Sequence, residues 1–486
     1  MNLSLADALK NLEISSVDFK ILFQKALSRG GDLAEFFFED KDATRIVYEG
    51  SRAEKIEDGR DRGCGLRILF DGRSVYGYTT DLSQASLENL AESLSSAVHT
   101  QKAKKPLSQD WRVSLQKNNE ILNYEIKKSP RQVAIDEKLK ICERVDQEVR
   151  RLLPEVTQVT VYFLDSYRKI LTVNSDGLFA PDHKTYLQLY TEVVAEKDGK
   201  TESAVESDGG YVGMEFFDSN PPENFAKEAV KRVKTLLSAK PAPSGTMPVV
   251  MAAEAGGTMI HEAVGHGLEA DLACNGLSVY QNKVGKQVAS PLITVVDDGT
   301  MPEKRGSFAY DDEGTPSQKN VLIENGVLKG YMVDKISAMK FDLPATGNGR
   351  RESFRHKPIV RMTNTYIAPG KDDPESILKD TSWGVYVKSM GGGQVNTVTG
   401  DFVFAVTEGY LIRDGKIAEP IRGATLVGNG PKALSLVDRV GNDLGFSTGT
   451  CGKDGQGAPV TDAQPTLRIP ELTVGGEVSI DHYWKK

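Results

Sequence analysis

Apolar residues recur at helical spacing in four segments of the N-terminal half of the chain. In residues 82–98 they lie three or four positions apart, which places them on one face of a helix. The same spacing predicts helices over residues 17–27, over residues 131–153 and from about Pro221 onward. A single apolar stripe is typical of a surface helix that buries one side, so we expect these helices to cover another layer.

Short runs rich in β-branched and aromatic residues predict strands between those helices. The runs cover residues 36–38, 45–48, 66–70, 75–78, 159–163, 170–173 and 186–194. Turn signals separate them, among them Asp71-Gly72, Ser175-Asp176-Gly177 and Asp198-Gly199. We therefore expect an α+β protein whose N-terminal domain has two layers, a β-meander and the helices that cover it.

The periodic pattern ends at Lys240-Pro241-Ala242-Pro243-Ser244-Gly245, which predicts a domain boundary. With 486 residues the chain is too long for one ordinary core. We expect an N-terminal domain of residues 1–240 and a C-terminal, mainly β domain of residues 241–486, in which glycine turns separate short strands. Within the first domain, a Pro- and Lys-rich stretch at residues 103–110 predicts a linker.

Charge and cysteine usage narrow the classes of function. A formal net charge of -8 argues against direct contact with nucleic acid, and no apolar stretch has the length of a membrane span. The four cysteines stand at wide, irregular spacings, which is typical of a reducing compartment. The first residues include Asp7, Lys10 and Glu13 and do not resemble a signal peptide, so the cytoplasm is the expected location.

The segment from His261 to His266 carries the strongest chemical signal, because two imidazoles flank a carboxylate, Glu262. The familiar zinc helix has histidines four residues apart, whereas these are five apart, about 140° around a regular helix. Both rings face one metal ion only if the helix is distorted, for example by a π-type turn. Gly265 and Gly267 make such a distortion easier, so the spacing predicts a distorted helix near Gly265.

Catalysis by a zinc site of this kind needs a third ligand and a base. Glu262 need not be a ligand, and beside the metal it is suited to general acid/base catalysis. By chemistry, the third ligand could be any of Glu269, Asp271, Cys274, His356 and Cys451. The polar, glycine-rich sequence around Cys451 favours a ligand over a core thiol, with Cys274 as the second choice. The alternative is that the histidines are ordinary structural residues.

Several ordered segments resemble the TldD/PmbA family of metallopeptidases, specifically its TldD branch. They are His261-Glu262-Ala263-Val264-Gly265-His266, Gly347-Asn348-Gly349-Arg350-Arg351-Glu352, Arg361-Met362-Thr363-Asn364-Thr365, Met390-Gly391-Gly392-Gly393-Gln394 and Cys451-Gly452-Lys453-Asp454-Gly455-Gln456. The resemblance implies one Zn²⁺ per chain, bound by His261, His266 and Cys451, with Glu262 as general acid/base. It also implies a PmbA/TldE-type partner subunit, with a homodimer as the alternative, and unfolded peptide substrates, including precursors.

An extended peptide is best held at a sheet edge, and the region from Trp383 to Phe404 is the candidate. Gly391, Gly392 and Gly393 either let a substrate backbone approach closely or merely turn a hairpin. Arg350, Arg351 and Arg355 are expected to bind internal acids such as Asp311 and Asp312 rather than a substrate carboxylate.

Two other functions compete with a peptidase. One is a non-catalytic peptide-binding or chaperone-like protein with a structural zinc, and the other is an accessory protein that acts on gyrase.

Overall fold

We describe the protein from a computed structural model, which covers residues 4–100, 107–108, 110–116 and 125–484. Of the predicted linker at 103–110, residues 103–106 and 109 lie outside this part of the chain, so that prediction is not resolved here.

The first half forms a seven-stranded sheet in the order β3-β2-β1-β5-β6-β4, with β7 also paired to β6. Its strands are β1 Leu33–Glu49, β2 Arg52–Phe70, β3 Arg73–Thr79, β4 Ser114–Leu115, β5 Val156–Asn174, β6 Leu178–Lys197 and β7 Lys200–Gly210. Chain-adjacent long strands pair antiparallel, as a meander requires. The turn at Asp71 and Gly72 has positive φ at both residues, the geometry of a tight hairpin.

Helices cover one face of this sheet. They are α1 Leu5–Asn11, α2 Phe19–Ala26, α3 Gln84–Ser96, α4 Ile135–Leu152, α5 Phe216–Ser219 and α6 Pro222–Leu237. The first three pack with Phe36 and Phe38 of β1, and α4 and α6 pack with Ile46 and Phe163. Phe36, Phe38 and Ile46 alternate to the same side of β1, so both groups of helices lie in one layer and the predicted two-layer arrangement is confirmed.

The opposite face of the sheet meets the second half of the chain through buried charges. We call Glu35, Arg67, Glu313, Lys335 and Arg351 the junction network. Glu35 accepts from Arg351 at 3.0 Å and from Arg67 and Lys335 at 3.1 Å each, and Arg67 donates to Glu313 at 2.6 Å. Opposite charges are thus matched where the two halves join.

The second half is mainly β. Its strands are β8 Lys240–Pro241, β9 Pro243–Met251, β10 Val295–Asp298, β11 Lys319–Glu324, β12 Val327–Leu328, β13 Gly349–Arg350, β14 Ile359–Val360, β15 Asn364–Ile367, β16 Trp383–Val395, β17 Asp401–Arg413, β18 Lys416–Arg422, β19 Thr425–Asn429, β20 Arg439–Val440, β21 Gly445–Lys453, β22 Gln456–Gln464, β23 Leu467–Gly475 and β24 Val478–Ser479. Strands β16, β9, β23, β19 and β17 form a closed ring, because β17 also pairs with β16. A six-stranded sheet beside it ends in β22 and β21.

Short helices complete this half: α7 Thr258–Ile260, α8 Ala270–Ala273, α9 Lys335–Phe341, α10 Pro374–Lys379 and α11 Gly430–Leu436. One large apolar core joins the ring, the six-stranded sheet and the segment with the two histidines. Within the described residues, no helix combines the length and apolar character needed to cross a bilayer. The α+β class and the β-rich C-terminal half are therefore confirmed.

Candidate metal centre

Two left-handed glycines lead the chain from β9 into the histidine segment. Gly256 and Gly257 have φ of 75° and 82°, a conformation that strains other residues. A side chain on Gly257 would also lie 2.5 Å from the backbone nitrogen of Ala463. The glycine turn thus presses the start of the segment against β22.

The predicted distortion of the helix is present. After the single turn of α7, residues His261–Gly265 form a π-helix and His266–Leu268 form a 3₁₀-helix. A Cβ atom on Gly265 would lie 2.0 Å from Sδ of Met362, so the π turn packs where only glycine fits. The wider turn brings the imidazole centroids of His261 and His266 to 5.1 Å at an interplanar angle of 88°.

Strand β21 places Cys451 next to the two histidines. Its Sγ lies 3.4 Å from Nε2 of His266, and the three donor atoms all lie within 4.8 Å of one another. The polar sequence around Cys451 suggests an open loop, but the structure differs. Cys451 lies on β21, which pairs with β22, and the residue is 4% exposed and belongs to the apolar core. The ligand candidate is therefore a buried residue of a strand.

Each imidazole is held by a carboxylate on its other nitrogen. Nδ1 of His261 lies 2.7 Å from Oδ1 of Asp462, and Nδ1 of His266 lies 3.0 Å from Oε2 of Glu269. A hydrogen bond at Nδ1 fixes the ring and leaves Nε2 for a metal. The pairs therefore orient both free nitrogens toward the thiol.

Lys453 completes this arrangement from the same face of β21 as Cys451. Its Nζ lies 3.0 Å from Oε2 of Glu269 and 2.7 Å from Oδ2 of Asp271. Glu269 has no side-chain exposure, so its charge depends on this cation and on His266. One strand thus supplies both the thiol and the ammonium group that supports the partner of His266.

Glu262 lies beside the cluster without a comparable partner. Its Oε2 is 4.0 Å from Nε2 of His266, and 27% of its side chain is exposed. Burial raises the pKa of Glu262, and the nearby histidines only partly oppose this. The carboxylate is therefore accessible and has a raised affinity for a proton, as a general base requires.

The three donors compete for protons. Burial opposes the Cys451 thiolate, but hydrogen bonds and charge from His261 and His266 outweigh it and lower the pKa of the thiol to about 5. Burial likewise opposes the charged form of His266, yet the charges of Glu269 and Cys451 raise its pKa to about 10. A metal at this position would displace protons from the imidazoles and bind a thiol that ionises readily.

The donor set fits zinc. Two imidazoles and one thiolate match the three-ligand pattern of catalytic zinc sites, where bond lengths of about 2.0–2.3 Å put N and S about 3.5 Å apart. The observed distance between Sγ of Cys451 and Nε2 of His266 is 3.4 Å. Among the described residues, this is the group of three or more donors that meets the distance requirement for a metal.

The other candidates for the third ligand are not in this group. Glu269 binds the far side of His266, and Asp271 binds Lys453. His356 is bonded to Ser353 at 3.0 Å, and Cys274 ends α8. No local motif in the sequence indicates the role of Asp462. Glu269, three residues after His266, is visible in the sequence, but it was predicted only as a possible ligand.

The three glycines of β16 do not turn a hairpin. They lie within the strand, where the pairing with β17 shifts register between Met390 and Gly393. A side chain on Gly393 would overlap the ring of Phe404, whereas Gly392 has open space around it. Strand β9 pairs with β16 only at Val385–Val387, so in the described structure no strand covers the outer edge beyond it.

The three arginines singled out in the sequence have internal partners, as expected. Arg351 binds Glu35 at 3.0 Å, Arg355 binds Asp61 at 2.9 Å, and Arg350 donates to backbone carbonyls. Of the expected acids, Asp312 contacts Arg351 through the backbone: the Arg351 guanidinium donates to the carbonyl oxygen of Asp312, and the Arg351 backbone nitrogen donates to its carboxylate.

Comparison with known proteins identifies one family along most of the chain. The PmbA/TldA metallopeptidase domain 1, central domain and C-terminal domain match residues 34–98, 128–237 and 244–476. A metalloprotease TldD homolog of Haemophilus influenzae is 37% identical, over 94% of this chain and 95% of its own length. A zinc metalloprotease TldD homolog of Saccharolobus solfataricus is 27% identical, over 94% and 99%. The chain belongs to the PmbA/TldD family of metallopeptidases.

Solved structures agree on the fold. TldE from Thermococcus kodakarensis superposes with a TM-score of 0.74 at 20% identity, covering 96% of this chain and all of that one. A Thermotoga maritima protein described as a candidate modulator of a DNA gyrase gives a TM-score of 0.76 at 21% identity, covering 94% of this chain and all of that one.

Proposed function

We propose that this chain is a zinc-dependent peptidase that hydrolyses unfolded peptides, including precursor peptides. The observation that carries the proposal is the convergence of His261, His266 and Cys451 beside the accessible carboxylate of Glu262. We assign one zinc per chain to these three ligands. When bound, zinc supplies a Lewis acid that makes a water molecule more acidic and polarises a carbonyl group.

The residues around the ligands prepare the site for this chemistry. Asp462 and Glu269 hold the imidazoles in one orientation, so little reorganisation is needed when the substrate arrives. Glu262 takes the proton from the attacking water and returns it to the leaving amine. The raised pKa of Glu262 suits both proton transfers, because it brings the pKa of the carboxyl group closer to neutral pH.

The open edge of β16 is the proposed substrate platform. Strand β16 contacts the π-helical segment, and the nitrogen of Ala252 donates to the carbonyl of Val387 at the point where β9 leaves the edge. An extended peptide that pairs with β16 beyond this point would pass the metal cluster. Main-chain pairing tolerates varied side chains, and the open space at Gly392 leaves room for a second backbone.

We further propose that the active assembly is a dimer, with either a PmbA/TldE-type subunit or a second copy of this chain. The support is the fold shared with a protein named TldE. Light scattering of the chain alone and with such a subunit distinguishes the two assemblies. We place an effect on gyrase, if the chain has one, downstream of proteolysis.

Replacing Glu262 tests the mechanism. We expect Glu262→Gln to reduce cleavage of an unfolded protein by about 10³-fold, because it removes the proton-transferring group while leaving the three ligands intact. Glu254→Gln is the matched control, since Glu254 is exposed and lies on the same segment. Zinc content is measured in both variants. Undiminished cleavage by Glu262→Gln contradicts the mechanism. Bound zinc without cleavage by the unmodified chain or its dimer supports the structural-zinc alternative.

A further inference from the structure

A second chemical feature lies away from the metal ligands, in a cleft that is lined by strands of the N-terminal sheet and by Arg305 from the second half of the chain. The cleft has a volume of about 740 Å³. We call it the sheet cleft and define it by Lys41, Ala43, Gly59, Ser166, Tyr186 and Arg305.

The floor of the sheet cleft is a row of residues in register, in which three small residues are followed by Tyr186. Gly59 faces Ala43, Ala43 faces Ser166, and Ser166 faces Tyr186 across four adjacent strands. Directly opposite residues project to the same face of a sheet, so this row forms a shallow channel. A side chain on Gly59 would meet no atom within 4 Å, which shows that the channel is open there.

Most charges along the cleft are already matched. The acids have donors: Glu57 pairs with Lys55 at 2.8 Å, Asp61 with Arg355 at 2.9 Å and Asp165 with Lys138 at 2.6 Å, while Asp58 accepts from Thr44 at 2.9 Å. Two of the cations are matched as well, since Arg60 pairs with Asp40 at 2.6 Å and Arg45 with Glu57 at 3.6 Å.

Lys41 and Arg305 remain without an anionic partner among the described residues. Neither forms a salt bridge there, and the guanidinium of Arg305 contributes only Nε, to the carbonyl of Gly449 at 3.2 Å. Burial lowers the pKa of Lys41, and nearby Arg168 adds to the effect, while the charges of Glu39, Glu352 and Asp61 oppose it only in part. Burial also lowers the pKa of Arg305 to about 10. Both cations thus lose solvation without forming a salt bridge among the described residues, which is costly unless an anion binds.

Two hydroxyl groups add to this donor set. Tyr186 is 5% exposed and lines the cleft, yet its hydroxyl forms no hydrogen bond within the described structure. The hydroxyl of Ser166 is likewise without a partner there. Two unmatched cations and two free hydroxyl donors along one channel are suited to a carboxylate.

We propose that the sheet cleft binds a carboxylate-bearing segment of a peptide. The unmatched side chains of Lys41 and Arg305 receive the carboxylate, and the row of small residues accommodates the extended chain. The channel is too large for a lone small anion, which favours a peptide of several residues. This inference rests on the proposed function only in taking a peptide as the ligand.

The location separates this cleft from the metal cluster. The backbone nitrogen of Arg305 donates to Oγ1 of Thr461 on β22. Thr461 is next to Asp462 in this strand, so the two side chains point to opposite faces of the β21–β22 pair. A peptide in the cleft lies behind the strand that carries Cys451. Its binding is measurable without any cleavage.

The test is fluorescence anisotropy with labelled, acetylated and amidated hexaglutamate, in the Glu262→Gln background so that no peptide is consumed. Hexaglutamine is the neutral probe, with either an amidated or a free C-terminus. We expect hexaglutamate to bind at least about tenfold more tightly than amidated hexaglutamine, because charge-assisted hydrogen bonds are lost with the neutral probe. Tighter binding of hexaglutamine with a free C-terminus would support the site and identify the terminal carboxylate as a second source.

Lys41→Met and Tyr186→Phe remove donors without disturbing a backbone contact. We expect Lys41→Met to weaken hexaglutamate binding about tenfold and Tyr186→Phe less. Lys200→Met is the matched control, because it removes one charge from the exposed first residue of β7. Equal binding of hexaglutamate and amidated hexaglutamine, or equal affinities of Lys41→Met and Lys200→Met, would overturn the proposal. A peptidase that cleaves normally but shows either result would retain the proposed function and lose this site.

Discussion

The junction network and the metal cluster both bury titratable side chains, but they do so in opposite ways. In the junction network, Glu35 forms ion pairs with three cations and Arg67 also pairs with Glu313, so the charged groups bind one another. In the metal cluster, His261, His266 and Cys451 turn their free donor atoms toward one another. Charged groups that pair with one another indicate a structural role, whereas converging metal-binding donors indicate a site that is completed by a ligand.

The comparison is tested most strongly by removing a converging donor. We expect Cys451→Ser to lower zinc affinity by roughly 10³-fold, because zinc loses one of three protein ligands and its only thiolate. Competition with a chromogenic chelator measures the affinity. Cys142→Ser is the matched control, since that buried thiol lies in the N-terminal core. Unchanged zinc affinity in Cys451→Ser would remove Cys451 from the site.

Removing a charge from the junction network should lower the stability of the fold rather than the affinity for zinc. We expect Arg351→Met to lower the free energy of unfolding by about 3–5 kcal/mol, because Glu35 keeps its burial and loses one of its cations. The zinc affinity of the folded variant should be unchanged. Urea unfolding followed by circular dichroism measures the first quantity. A variant that folds as stably as the original chain would contradict a structural role.

The carboxylates of Asp462 and Glu269 are paired with an imidazole and also orient a metal ligand. Replacing one of them should therefore have an intermediate effect on zinc affinity. We expect Asp462→Asn to lower zinc affinity by about 10–100-fold through looser orientation of His261. Asp443→Asn is a suitable control, because Asp443 bonds Thr466 rather than a ligand. A loss as large as that of Cys451→Ser would show that Asp462 is itself a ligand.

Acid should weaken the junction network gradually. The cations around Glu35 overcome the penalty of burial and lower its pKa from 4.5 to about 2. The stabilisation is therefore complete above about pH 4.5 and is lost as the pH falls toward 2. We expect Glu35 to contribute up to about 1.4 kcal/mol per pH unit to the loss of unfolding free energy in that range. Glu35→Gln should show a shallower dependence, and identical slopes would contradict the assignment.

The sequence predicted the helices of the first half and the distorted histidine segment because the patterns that indicate them are local. Helical spacing identified α2, α3, α4 and α6, and the five-residue spacing of His261 and His266 predicted the π turn. Beyond that turn, the sequence did not predict how the segment is distorted: Gly265 packs against Met362, and the segment consists of short helical pieces. Local composition cannot register that contact, which joins residues almost a hundred positions apart.

The contacts that the sequence did not predict are mainly those between residues far apart in the chain. Asp462 is about two hundred residues from His261, and Lys453 was quoted only as part of a motif. The surroundings of Cys451 appeared polar because neighbouring residues of β21 point away from the core, while the thiol itself points inward. Likewise, Arg351 was expected to bind an acid close in sequence, but its partner Glu35 comes from the first strand of the other half.

The most direct test of the central claim is anomalous diffraction at the zinc edge from crystals of the zinc-loaded protein. The account predicts one peak per chain, within bonding distance of His261, His266 and Cys451 and with no fourth protein ligand, so that a position stays open for water or substrate. A peak elsewhere, or zinc enclosed by four protein ligands, would contradict it.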